Sequence, residues 1–237
     1  MQDEISKHTK KIYESASDSK HTFGEKIKEI IVEISIIVFA VTLSIWFHSW
    51  SEHKHQQKEV VEFLEDLKVD LKSDISDLED QNSYLTTASK TCNTLKNLQK
   101  ASVDSILQLD KKNRFYFDLS PISKIRNTGN YEGFRSSGKI GFIENRQLKS
   151  KILNYYQKIV PEKDDWQTFY NSLIFEIAKE INTTNYENAI KSMYSSEKAK
   201  GFLDNCESQA KQIIGINKNV VKNAKEILAE IEKETKR

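Results

Sequence analysis

Ile34 to Trp50 reads ISIIVFAVTLSIWFHSW and contains no Asp, Glu, Lys or Arg. Extended back to Ile30, the apolar stretch covers about 21 residues with Glu33 as its one acid. At a rise of about 1.5 Å per residue, such a helix spans roughly 30 Å, the thickness of a bilayer's hydrocarbon core. A buried core helix in so polar a chain would show a polar face, and this stretch shows almost none. Trp46 and Trp50 stand at its C-terminal end, where amphipathic rings favour a membrane–water interface. About 29 residues precede the run, and no small-residue cleavage site follows it, so an uncleaved anchor is expected rather than a signal peptide.

Outward from this segment the chain changes character. Of 237 residues, 30% are charged and 38% hydrophobic, and 36 Lys+Arg nearly balance 35 Asp+Glu to a net charge of +1. No basic surplus exists to attract nucleic acid, so no nucleic-acid partner is expected. Gly and Pro are scarce, 7 and 2, which disfavours turn-rich β architectures and Gly-rich phosphate loops. The expected partners are the lipid bilayer and a protein, either another protein or a second copy of this chain, met through the anchor and the stalk beyond it.

Orientation is read from lysines flanking the span. Lys10, Lys11, Lys20, Lys26 and Lys28 precede it; Lys54, Lys58 and Lys68 follow. The bias predicts a flexible cytoplasmic tail over 1–29, a single-pass transmembrane helix over 30–50, and a periplasmic helical-bundle domain over 51–237 of a bacterial inner-membrane protein. Glu33 is the costly intramembrane residue: it either snorkels to water at the span's edge or meets a partner helix.

No Gly or Pro occurs between Gly24 and Pro121, so the anchor is expected to run on into a long helix, over roughly 56–108. Leu64, Leu71, Leu78, Leu85 and Cys92 fall seven apart, a heptad-like, coiled-coil seam. Cys206, Ile213, Val220 and Ile227 repeat the spacing near the C-terminus. Laid antiparallel with Cys92 opposite Cys206, the two seams match layer for layer, and an oxidising compartment would permit a Cys92–Cys206 disulfide. Between the seams, Asn127–Asn130 is a turn signal. Tyr131–Ser137 reads as a short helix closed by Gly138. Asn145 caps a helix that runs to Val160 and stops at Pro161. Asp164 or Asp165 starts another helix reaching Ile181, with Trp166, Phe169, Tyr170, Leu173, Ile174 and Ile177 on one face. Tyr186–Tyr194 is a shorter piece. The fold class is all-α, an antiparallel helical bundle on a membrane anchor.

Candidate chemistry is sparse. His48, Glu52 and His55 lie at i, i+4 and i+7, a face that would need a further ligand to hold zinc; no metal and no cofactor are expected. No histidine follows His55, so a Ser-His or Cys-His site has no base, and no enzymatic activity is expected. Phe115, Phe117, Tyr131 and Phe134 either line a small-molecule pocket, as in a sensor domain, or form an aromatic core at the bundle's distal end.

The junction of anchor and stalk carries a resemblance. Val32-Glu33 stands where a Gly-Glu pair opens an apolar helix, His48-Ser49-Trp50-Ser51-Glu52 where Asn-Asn-Trp-Asn-Glu follows it, and Leu64-Glu65-Asp66-Leu67 comes next as it stands. Further on come Tyr131-Glu132, Ser136-Ser137-Gly138, Leu148 and Tyr155-Tyr156. In these motifs the chain resembles an uncharacterised family of small, single-pass membrane proteins of Bacteroidota-type bacteria, catalogued as a domain of unknown function. The resemblance implies an envelope-membrane protein with a helical soluble domain, and no reaction, ligand or partner.

Overall fold

A computed structural model describes residues 6–11, 13, 23–98, 105, 108, 120–124, 126–181 and 197–235. The structure is all-α, with no strand among the described residues. Helix α1 runs Phe23–Leu98 without a break. Then come α2, Gly129–Ser136, a 3₁₀ turn, Lys139–Phe142, and α3, Arg146–Asn154. A π turn, Tyr155–Ile159, leads into α4, Val160–Ile181, and the last long helix is α5, Glu197–Glu234. Phe115, Phe117 and the Tyr186–Tyr194 piece lie outside the described residues. The chain divides into two compact units, Met1–Glu59 and Val60–Arg237.

In the first unit, residues 6–11 are helical and α1 begins at Phe23. None of the most apolar stretch is buried, and Phe39 and Ile45 are 68% and 62% exposed.

The second unit is organised by the two heptad-spaced seams. Leu64, Leu71, Leu78, Leu85 and Cys92 on α1 are buried, as are Cys206, Ile213, Val220 and Ile227 on α5. Cys92 and Cys206 form a disulfide with Cα atoms 5.7 Å apart. Eleven residues back from Cys92 stands Gln81; eleven on from Cys206 stands Asn217. Asn217 Nδ2 donates to Gln81 Oε1 at 2.9 Å in the buried interior. A hydrogen bond and a disulfide therefore report the same antiparallel register. The polar pair sits between two apolar clusters, one reaching Leu78 and Val220, the other beginning at Leu85 and Ile213.

Local signals explain the short elements. Gly138 adopts φ 78°, the left-handed conformation that costs glycine least, and its N–H closes α2 on the Arg135 carbonyl at 3.0 Å. Asn145 caps α3 by accepting from the Leu148 N–H at 3.1 Å. Its Nδ2 donates to Glu234 Oε2 at 2.8 Å, tying α3 to the end of α5.

Pro161 does not stop the helix, contrary to the sequence expectation. The path runs from α3 through the π turn into α4, and the Val160 N–H bonds the Tyr155 carbonyl, five residues back. A proline in a regular helix clashes with the carbonyl four residues earlier and lacks the N–H to meet it. The wider i→i+5 turn just ahead of Pro161 loosens that geometry. The face of α4 also differs from the expected one: Lys163, Asp164, Gln167, Tyr170 and Ile174 are buried, whereas Phe169 is 48% exposed.

Candidate functional site: a charged cluster and a non-helical strap on the bundle

Between α1 and α4 lies the segment 120–128, in which no described residue is helical. Backbone outside a helix must satisfy its polar groups without a ladder, and around the buried Ile122 water supplies little of that. Here side chains do it. The Tyr84 hydroxyl accepts from Ser120 N–H at 2.7 Å. Asn171 brackets Ile122, accepting from its N–H and donating to its carbonyl, each at 2.8 Å. Gln167 donates to the Ile122 carbonyl at 3.0 Å and also to that of Ser123, which Gln81 reaches as well, at 3.1 Å. Ile122 itself is a buried apolar anchor, 6% exposed.

The far end of the strap is held by charge. Asp74 Oδ1 accepts from both the backbone N–H and the side-chain amide of Asn127, at 3.1 and 2.8 Å. Asp70 Oδ2 takes the Asn130 amide at 2.9 Å, and the Tyr156 hydroxyl donates to the Asn127 carbonyl at 3.4 Å. Lys163, 2% exposed, pairs with Asp164 at 3.1 Å. Arg126 reaches the other oxygen of Asp164, also at 3.1 Å. Asp74 and Lys163 feel each other's charge.

Burial sets the electrostatics. Loss of water pushes the Asp74 carboxyl above its ordinary value, against the opposing pull of the Asn127 bonds and Lys163. The same desolvation pulls Lys163 below its ordinary value, partly offset by Asp164 and Asp74. Tyr155 and Tyr156 are driven up, so both stay protonated phenols. Buried charges persist only when paired, and this group is paired across α1, the strap and α4. Its chemistry is that of a clamp: it fastens an irregular segment between two helices.

The cluster was not foreseen from sequence. The signal that could have found it is the i, i+4 pair Lys163 and Gln167 on the face that Tyr170 and Ile174 continue inward.

The residues singled out from sequence fall as follows. Tyr131 and Phe134 are buried in the core. Phe134 stacks on Phe63 with ring centroids 3.9 Å apart, and Tyr131 stacks on Tyr156 at 4.2 Å. They belong to the Phe63 end of the bundle, not to the end marked by Cys92. His48 meets Glu52 at 4.0 Å, while His55 meets Glu59 at 3.6 Å, so the structure does not gather His48, Glu52 and His55 around one point. Among the described residues no group of three or more His, Cys, Asp or Glu could hold a metal. Glu33 pairs with His8, Oε2 to Nδ1, at 2.5 Å. Trp46 packs edge-on against Phe47, and Lys54 lies over the Trp50 ring at 4.1 Å. Ser35 and Thr42 donate their hydroxyls to carbonyls of their own helix, Ile31 and Val38.

These features define a class: an all-α protein in which a helix long and apolar enough to cross a membrane continues into a bundle. The chain belongs to the family described as "Family of unknown function (DUF6090)", whose model matches residues 33–188. The match takes in Glu33, most of α1, the strap and α4, and it ends before α5. No curated protein and no solved structure matches the chain.

Proposed function

We propose that the chain is a membrane-anchored helical scaffold or accessory subunit of the bacterial envelope, with no enzymatic activity. The observation that carries this reading is that no residue of the apolar run Ile34–Trp50 is buried: it covers no core of its own, so lipid is the surface it fits. The lysine bias around the run supports a cytoplasmic N-terminus and a periplasmic helical domain from about residue 51 in a single-pass inner-membrane protein. The mixed-sign helix faces of the bundle suit a protein partner or a second copy of the chain. A sensor reading is less well supported, because Tyr131 and Phe134 are spent on core stacking.

Cysteine accessibility mapping in intact cells tests the reading. Ser73→Cys should react with a membrane-impermeant maleimide, and Ser17→Cys only after permeabilisation. The reverse pattern would overturn the orientation, and recovery of the chain in the soluble fraction would overturn the anchor. A strictly monomeric, partner-free chain after mild detergent extraction would remove the scaffold role.

A further inference from the structure

The groove that holds the strap reads backbone more than side chains. The Tyr84 hydroxyl accepts from the Ser120 N–H at 2.7 Å and donates to the Ser120 carbonyl at 3.2 Å. Two residues on, Asn171 engages both backbone groups of Ile122, each at 2.8 Å. Pro121 between them has no N–H to satisfy. Alternate residues with both backbone groups engaged are the pattern of a strand in a ladder, met here by side chains of α1 and α4. Of Ser120–Lys124, only Ile122 puts its side chain into the core, in the cluster with Leu85, Tyr170 and Ile174; the other four are exposed. Main-chain bonds give affinity for any sequence, and one apolar pocket adds selectivity.

The groove offers more than the strap uses. Gln167 is 1% exposed and gives its amide to the Ile122 and Ser123 carbonyls. Its Oε1 is buried without a hydrogen-bond partner. A buried acceptor without a donor is unfavourable, and a segment presenting an N–H to it would fit better than the strap does. A concavity of about 400 Å³ remains alongside, lined by Asp77, Asp80, Gln81 and Tyr84 of α1 and by Ser120, Pro121, Ile122 and Ser123.

We propose that the groove between α1 and α4 is a docking site for a strand-like segment of a different protein, with an apolar residue at the Ile122 position, and that the strap occupies the groove until such a segment displaces it. The proposal rests on the accessory-subunit reading above and names what the partner presents.

The test uses the full chain in mild detergent and a fluorescent synthetic peptide copying residues 119–128. In Ile122→Asp the strap is weakened, and this chain should bind the peptide about tenfold or more tighter than wild type, whose groove is competent only when its strap is displaced. N-methylating the peptide at the residue matching Ile122 removes the N–H that Asn171 accepts and should abolish binding. Adding Asn171→Ala to Ile122→Asp should do the same. The wild-type chain gives a second readout that needs no variant: excess peptide should raise amide exchange at Ile122 several-fold, and the N-methylated peptide should not. Equal affinity for the two folded chains, binding that survives N-methylation or Asn171→Ala, or unchanged exchange at Ile122 would overturn the proposal. Dimerisation of the wild-type chain that the peptide blocks would make the occupant a second copy's strap and overturn the assignment to a different protein. Neither the anchor nor its orientation enters these readouts, so their failure in cysteine mapping is a separate result.

Discussion

Asn217 and Gln81 meet in the buried interior by an Nδ2–Oε1 hydrogen bond of 2.9 Å, each eleven residues from the cysteine on its own helix. A one-residue slip between α1 and α5 would break this bond, whereas apolar layers alone tolerate slippage better. A buried polar pair on an otherwise apolar seam is a known device for fixing register. Asn217→Ala strands the Gln81 oxygen and should cost about 1–3 kcal/mol in urea unfolding. Adding Gln81→Met to Asn217→Leu should recover part of the loss, because the Ser123 carbonyl keeps its bond from Gln167.

The Cys92–Cys206 bond closes a separation of 114 residues. Chain-entropy arguments assign such a loop about 4–5 kcal/mol. Cys92→Ser should lower the unfolding midpoint accordingly, and native protein should take up no alkylating agent until reduced. Two alkylated thiols without reductant would show that the bond does not form.

Lys163→Met removes a buried cation whose charge acts on Asp74. Breaking a buried charge group by deleting one partner costs about 3–5 kcal/mol. The double change Lys163→Met/Asp74→Asn should be milder than Lys163→Met alone, since no uncompensated carboxylate remains at position 74. Equal losses in the single and double variants would mean that the two charges are not coupled.

Asp74 predicts a pH dependence of definite sign. Its folded carboxyl titrates above the ordinary 3.8 because burial disfavours the charge. The folded state therefore holds that proton more tightly than the unfolded state. The contribution of Asp74 is full below 3.8 and is lost as pH rises through the elevated folded value. The difference in unfolding free energy between wild type and Asp74→Asn should fall with rising pH across that window. A difference that is flat or rises would contradict the assignment.

Asn145 both caps α3 and holds Glu234. Asn145→Ala should cost about 1 kcal/mol from the cap alone. Asn145→Asp should keep the cap and lose the Glu234 contact to charge repulsion, so amide exchange in the last turn of α5 reports the two roles separately.

Much of the architecture was readable in advance because it rests on local rules. The uncharged run, the sevenfold spacing of Leu64 to Cys92, the αL glycine at 138 and the Asn145 cap each act through their nearest neighbours in sequence. The strap and its clamp were not readable for the opposite reason. Asp74, Asp164 and Gln167 look like solvent-facing residues until a segment some fifty residues away from Asp74 supplies partners to each. Phe134 was grouped with Phe115 by proximity in sequence, but its stacking partner is Phe63, on another helix. Pro161 misled because a proline's usual effect presumes an α-helical turn before it.

That turn has a consequence for the evolution of the chain. The π turn at Tyr155–Ile159 holds one residue more than an α-helical turn would, so it acts as a phase adjuster between α3 and α4. Deleting a single residue there would restore regular winding and swing everything downstream by about 100°. Asp164 and Gln167 would leave the strap, and the exposed Phe169 side of α4 would change its facing. A length change of one residue at this point is therefore a far larger perturbation than most substitutions in the bundle, and relatives that fold the same way should keep the length of this turn more strictly than its side chains.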